Sequence, residues 1–369
     1  MRLRVLVPRR RRRRSLCGLA AALALAGCGG SKPAPEPPPQ PRLAIGITEE
    51  NPNFLAGDFG APFAQWRAAL TKLDPTYYRL VIDWAKSVNP DGSFNLTSPQ
   101  GGCLRTVPPC AGWFGVRQQL QAVKAAQERS PGHFRLMAVI FDTPEQQAAP
   151  PSGCEPKGLE ARSRAPEDLA AYQDVIRQVN AEAARQGVKV EFWSPWNEPN
   201  HPYFLSPQRT ACDPDAPSAS VPTYVALARA MQQVLEPGQQ LVLGELGGVS
   251  DHPIISTELT DFVRQLPSDL VCGASIISVH GYAPQPNPVP ELEQALPCDK
   301  PIWVTETGTK THDCPTMAQR LKDYAADPRV KAVFQYTLRE DNLFPTGLVT
   351  TDLTTAYPLL ELWQSGVCL

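Results

Sequence analysis

No part of this chain is both long enough and apolar enough to span a bilayer: the apolar run Leu16 to Ala26 stops after eleven residues, and about 20 are needed. The 369 residues contain no Cys-x-x-Cys pair and only five scattered histidines, which argues against a structural zinc site. No glycine-rich turn follows an early strand-like run, so nothing suggests a dinucleotide or phosphate cradle. Basic residues are scarce once the N-terminus is set aside. Eight arginines lie within Arg2 to Arg14, leaving 27 basic residues against 37 acidic ones, a formal charge of −10. Such a surface excludes nucleic acid or an anionic polysaccharide as a partner held by bulk charge, and suits a neutral one.

The N-terminal arginines carry no acid among them and are followed by the apolar run and by Leu25-Ala26-Gly27-Cys28. A basic head, a short apolar segment and small residues before a cysteine resemble a bacterial lipoprotein signal over residues 1–27. In that reading cleavage precedes Cys28 and its thiol is lipidated. An ordinary signal cut nearby, with Cys28 incidental, is the plainer alternative. Lipidation implies a chain tethered to the cell envelope through its anchor alone. Residues 28–42 then form a proline-rich spacer, since Gly29 to Arg42 has no apolar content for a core and extends as polyproline. The eight cysteines beyond it, Cys103, Cys110, Cys154, Cys212, Cys272, Cys298, Cys314 and Cys368, form an even set in an exported chain and imply up to four disulfides.

From Leu43 to Leu369 no second linker intervenes. Strand-like runs begin at Leu43, Tyr78, Arg135, Lys189, Gln240, Ala274, Pro301 and Ala332. They are short, apolar and rich in β-branched residues, as parallel strands covered on both faces are. Between them, Ala61 to Leu73, Val116 to Arg129, Pro166 to Gln186 and Val221 to Leu235 carry apolar residues at three- and four-residue spacing. Shorter helical segments are expected near Ser256 to Leu266, Pro290 to Leu296, Thr316 to Ala326 and Tyr357 to Trp363. Eight such units predict a single (β/α)8 barrel, an α/β fold, over residues 43–369. An open doubly wound sheet is the alternative. Barrel topology sets Cys272 and Cys298 before neighbouring strands six and seven. It places Cys154 and Cys212 in loops on one rim and Cys103 and Cys110 in one long loop. Cys314 and Cys368 then pair by elimination.

Two strand ends carry chemistry: Ser194-Pro195-Trp196-Asn197-Glu198-Pro199-Asn200 and Trp303-Val304-Thr305-Glu306-Thr307-Gly308. Side chains at strand C-termini meet on one rim of such a barrel. Paired carboxylates there can supply an acid and a nucleophile for splitting a glycosidic bond. Either glutamate alone could be a structural ion-pair partner. Glu245 and Asp142, at other strand ends, read as positioning or loop-bracing groups. Trp84, Trp113 and Trp193 are either core or sugar platforms, with Trp84 and Trp113 the better platforms for lying beside polar loops.

In this order, Trp196-Asn197-Glu198-Pro199 and Val304-Thr305-Glu306-Thr307-Gly308 resemble the signatures of clan A glycoside hydrolases, such as families 5 and 39. The resemblance spans essentially all of Leu43 to Leu369. It implies a retaining (β/α)8 β-glycosidase with Glu198 as acid/base, Glu306 as nucleophile, no cofactor and no metal. Its substrate would be a neutral β-linked oligo- or polysaccharide. The same resemblance assigns Arg79 to the nucleophile's side, Asn197 to a sugar hydroxyl, and His280 and Tyr282 to the family's His-x-Tyr. Arg79 and Tyr282 are expected to keep Glu306 ionised, and an apolar setting to keep Glu198 protonated. The family's strand-eight tryptophan is missing here, so Tyr336, or a loop aromatic such as Trp84, is the expected sugar platform. The competing reading is a non-catalytic glycan-binding lipoprotein on the same scaffold.

Overall fold

A computed structural model describes residues 43–57, 60–98, 108–109, 114–248, 256–342 and 344–368. The expected signal, Cys28, the proline-rich spacer, the Cys103–Cys110 pair and Trp113 lie outside the described residues. Eight strands, β1 Ala44–Thr48, β2 Tyr77–Asp83, β3 Arg135–Phe141, β4 Val190–Ser194, β5 Gln240–Leu246, β6 Ile276–His280, β7 Ile302–Thr307 and β8 Val330–Tyr336, pair in sequence order as one parallel barrel. It closes between β1 and β8, with Ala44 opposite Ala332. Each strand begins within two residues of the start that the apolar runs predict.

The helices among the described residues are α1 Gly60–Leu73, α2 Val116–Arg129, α3 Leu169–Gln186, α4 Ser220–Gln232, α5 Leu259–Gln265, α6 Ser268–Gly273, α7 Val289–Ala295, α8 Cys314–Ala326 and α9 Pro358–Ser365. Their ends follow local chemistry. Asp168 caps α3 by accepting the Ala170 N–H at 2.7 Å, and Gly187 ends it at φ 69°. Helix α6 was not foreseen, because six residues are too few to display a helical period.

Strand alternation divides the apolar residues between two cores. Leu80, Ile82, Ile140, Trp193, Leu243, Ile277, Val304 and Val333 face outward and are covered by the helices. Met137, Phe192, Val242, Ile276, Trp303, Ala332 and Phe334 point inward and fill the N-terminal half of the barrel. Tyr77 joins this plug with its ring 4.4 Å from Trp303, and Phe192 sits 4.7 Å from the same indole. The plug is tight: a Cβ at Gly46 would lie 2.3 Å from the Phe334 ring. With the lower half sealed, polar side chains collect at the strand C-termini.

Three of the expected disulfides are present, Cys154–Cys212, Cys272–Cys298 and Cys314–Cys368, with Cα separations of 5.2, 6.0 and 5.8 Å. They join a rim loop to its neighbour, tie the segments entering β6 and β7, and fasten the C-terminus to the start of α8.

Candidate active site

Arg79 occupies the inward face of β2 above the aromatic plug and is fully buried. A buried guanidinium requires compensation, and two carboxylates supply it. Its Nη1 lies 2.7 Å from Glu306 Oε1 on β7, while Nη2 and Nε reach Glu245 Oε2 at 2.5 and 2.8 Å. Nη2 also donates to Asn197 Oδ1 at 2.6 Å, which fixes that amide beside Glu198. Burial opposes the Arg79 charge, but Glu245 and Glu306 outweigh it and raise the pKa further.

Glu245 reaches this position through an irregularity in β5. The register shifts between Leu243 and Leu246, with Gly244 at φ 127° and Glu245 at φ 54°. Any Cβ at Gly244 would stand 2.2 Å from the Ser278 carbonyl, so glycine is required at the kink. Burial alone would push the Glu245 carboxyl up; Arg79 and then His280 overcome this and hold it at about 2.

Glu198 follows β4 in a left-handed conformation, φ 40°, which is uncommon away from glycine and signals a site where the surroundings impose the backbone. Its N–H donates to the Glu245 carbonyl at 2.9 Å, and its own carbonyl accepts from His201 N at 2.9 Å. The carboxylate meets His280 Nδ1 at 2.7 Å. His280 ends β6 opposite Glu306 in register, and Nδ1 is also 3.5 Å from Glu306 Oε2; Nε2 is 3.5 Å from Glu245 Oε2. Burial would lower the imidazole pKa, yet Glu306 and the bonds to Glu198 and Glu245 raise it to about 10.

This geometry corrects one expectation. Burial does push the Glu198 carboxyl up, but His280 reverses the effect and leaves it below the usual glutamate value. Glu198 and His280 are thus shifted in opposite directions, and the direction at Glu198 is the reverse of the one expected.

Tyr282, just beyond β6, donates its hydroxyl to Glu306 Oε2 at 2.5 Å. Burial, and then the charge of Glu306, keeps the phenol protonated by pushing its pKa well above 10. Glu198, His280 and Glu306 each present one atom within 4.8 Å of the others. A cation held here would face the Arg79 guanidinium, which lies 2.7 Å from Glu306.

These groups open into a cleft enclosing about 710 Å³ of space, solvent at its mouth included. Asn197, Glu198, Tyr282, Glu306 and Tyr336 line it, as expected. So do Glu50, Val81, Phe141, Phe204, Asp341 and Phe344, of which the motifs revealed none as a cleft residue. The strand-end pair Glu49-Glu50 was the available signal for the first. Tyr336 stands edge-on to Tyr282, with Phe344 packed edge-on against both. Trp84 is not a platform: it is buried in the outer core facing Tyr172. Trp193 is also core, its indole N–H donating to Asn180. Asp142 braces a loop by pairing, together with Asp83, with Arg162.

Among solved structures, a family 30 endoxylanase from Clostridium papyrosolvens C71 superposes with a TM-score of 0.53 at 12% identity, over 88% of this chain and 72% of that chain. The barrel is similar to those of clan A glycoside hydrolases. A family 39 glycoside hydrolase from Bacteroides cellulosilyticus WH2 gives 0.53 at 17% identity over 88% and 64%. An endo-β1,6-glucanase gives 0.54 at 13% over 88% and 76%. At such identities the likeness is one of fold. No family model and no curated protein matches the chain.

Proposed function

We propose that this protein is a retaining β-glycosidase acting on a neutral, β-linked glycan. One observation carries the reading: Glu198 and Glu306, from β4 and β7, present carboxylate oxygens within 4.8 Å of each other in an open cleft. That closeness fits direct attack by one carboxylate, since inverting enzymes need a wider gap of roughly 6.5–9.5 Å for water.

The two carboxylates have different partners, and the partners set the roles. Glu306 faces Arg79 and Tyr282, which orient its carboxyl group towards the cleft, so it attacks the anomeric carbon as the bond to the leaving oxygen breaks. Glu198 faces His280. Transfer of the shared proton from Nδ1 to Oε1, over 2.7 Å, arms Glu198 to protonate that oxygen. In the second half, Glu198 takes a proton from water as the water displaces Glu306 from the anomeric carbon, and this second inversion restores the starting configuration. Asn197, oriented by Arg79, is placed to bind a sugar hydroxyl, and Tyr336 offers a stacking face.

The sequence supports export and tethering through Cys28, and a Cys28→Ala variant that stays with the membrane fraction would count against it. Hydrolysis of a panel of β-glucans, mannans, xylans and aryl β-glycosides tests the activity, with product anomers followed by NMR. Initial release of the β-anomer is expected. An α-anomer would reject retention, and silence across the panel would favour a glycan-binding role.

A further inference from the structure

Arg320 and Tyr324 lie four residues apart on α8, so they share one helix face, and the catalytic scheme uses neither. Both are buried. Among the described residues no carboxylate pairs with the Arg320 guanidinium, and its donors go to backbone carbonyls instead. Nη2 donates to the Gln285 carbonyl, and Nη1 stands 3.5 Å from both the Gly281 carbonyl and the Tyr324 hydroxyl. A charge buried without an opposite charge is costly, and a methionine would fill the same place without that cost. Packing therefore does not account for this arginine.

The two carbonyls bracket Tyr282. The Gly281 carbonyl also accepts from Tyr324 Oη at 3.0 Å and from Thr307 Oγ1, on β7, at 2.6 Å, while Gly281 N donates to the Glu306 carbonyl at 2.9 Å. The approach is close enough to demand glycine: a Cβ at Gly281 would lie 2.2 Å from the Tyr324 hydroxyl. Burial raises the Tyr324 pKa, which keeps that hydroxyl a donor. On the other side of Tyr282, Ala283 N donates to the Gly308 carbonyl at 2.8 Å. The backbone around Tyr282 is thus held from α8 and from the end of β7, and the tip of its side chain meets Glu306 Oε2 at 2.5 Å.

We infer that Arg320 and Tyr324 are positioning residues for Tyr282, setting where its hydroxyl stands and so how Glu306 is turned towards the anomeric carbon. Neither lines the cleft; they act from the helical layer through the backbone that carries Tyr282. A hydrogen bond of this length weakens steeply when its donor is displaced or turned. Arginine suits the task because one planar fork reaches two carbonyls at once, whereas a lysine ammonium is a single point of charge.

The inference rests on the glycosidase reading, and the test separates the two. On an activated aryl β-glycoside, kcat/KM reports attack by Glu306, since the leaving group needs no proton. Arg320→Met should lower it by about tenfold, Arg320→Lys should recover part of the loss, and Tyr324→Phe, which removes one hydroxyl, should cost a few-fold. The deciding comparison repeats these changes in a Tyr282→Phe background. If they act through the Tyr282 hydroxyl, each should there cost less than about twofold more. Losses that multiply in full, or wild-type kcat/KM in both Arg320→Met and Tyr324→Phe, would overturn the inference while leaving the glycosidase reading intact. Should Arg320→Met fail to fold, the Tyr324→Phe cycle decides alone. A wild type silent on every aryl glycoside would overturn the glycosidase reading, and crystal structures then decide the positioning role: the Tyr282 hydroxyl should leave Glu306 in Arg320→Met or Tyr324→Phe, and its retention in the variants that fold would reject the inference.

Discussion

Glu245 and Arg79 are locked together beneath the cleft, with Oε2 2.5 Å from Nη2 and 2.8 Å from Nε and both side chains fully buried. Neither group touches open space, yet the pair fixes three others. Arg79 holds Asn197 and faces Glu306, and Glu245 approaches His280. Removing Glu245 leaves the buried guanidinium with Glu306 as its one remaining carboxylate partner among the described residues, so its charge is under-compensated away from water. Glu245→Ala should therefore cost about 3–5 kcal/mol of stability in urea unfolding. Glu245→Gln keeps a hydrogen-bond acceptor but not the charge, and should lie between Ala and wild type. Equal losses in the two variants would show that shape, not charge, is what matters at this position.

His280 gives a pH dependence whose sign can be worked out. In the fold it is raised to about 10 because Glu306, Glu198 and Glu245 outweigh burial; unfolded, it titrates near 6.5. A group raised on folding contributes stability that is complete below its unfolded pKa and is lost as pH climbs through the folded one. His280→Gln should therefore be destabilised most near pH 6, by several kelvin in Tm, and should converge on wild type towards pH 10. A constant offset across that range would mean that the imidazole acts by packing rather than by charge.

The strands and the two rim glutamates were legible because both depend on neighbours in sequence: apolar runs make strands, and Glu198 and Glu306 sit directly at strand ends. Glu245 was visible as a strand-end acid, but its inward turn depends on the kink at Gly244, which clears the Ser278 carbonyl across the sheet. Trp84 was misplaced for want of a parity argument. Tyr78, Leu80 and Ile82 face the helices, and Trp84 continues that even-numbered face. The downward shift of the Glu198 carboxyl could not be read at all, since His280, which causes it, lies 82 residues away on β6. Phe141 reaches the cleft from the end of β3 and Phe344 from the loop after β8, and no sequence period links them.

The lower barrel makes a purely mechanical prediction. Phe334 lies 5.6 Å from Trp303 and 5.9 Å from Tyr77 by ring centroid, so it has little room to yield. Gly46→Ala places a methyl 2.3 Å from the Phe334 ring, and overpacking of this kind costs about 1–3 kcal/mol. Phe334→Leu should lose stability by itself, yet in the double variant the two losses should sum to less than their separate values. Strict additivity in a double-mutant cycle by urea unfolding would show that the clash is relieved elsewhere.

The proposed catalytic roles separate most clearly in rescue kinetics. Glu306→Ala removes the attacking carboxylate and should reduce turnover of every substrate to the limit of detection. Glu198→Ala removes only protonation and, later, the base, so its loss should depend on the leaving group. With poor leaving groups, about 10²–10⁴-fold should disappear. An activated aryl glycoside departs without a proton and should still form the glycosyl-enzyme, leaving the second displacement to limit the rate. Azide needs no base, so adding it should accelerate Glu198→Ala on that substrate. The product should be a β-glycosyl azide, because two successive inversions restore the original configuration. In Glu306→Ala the same anion would instead enter the space below the anomeric carbon and yield the α-azide by a single inversion. An exchange of these two outcomes would reverse the assignments of Glu198 and Glu306, and full activity in either variant would remove that residue from the mechanism.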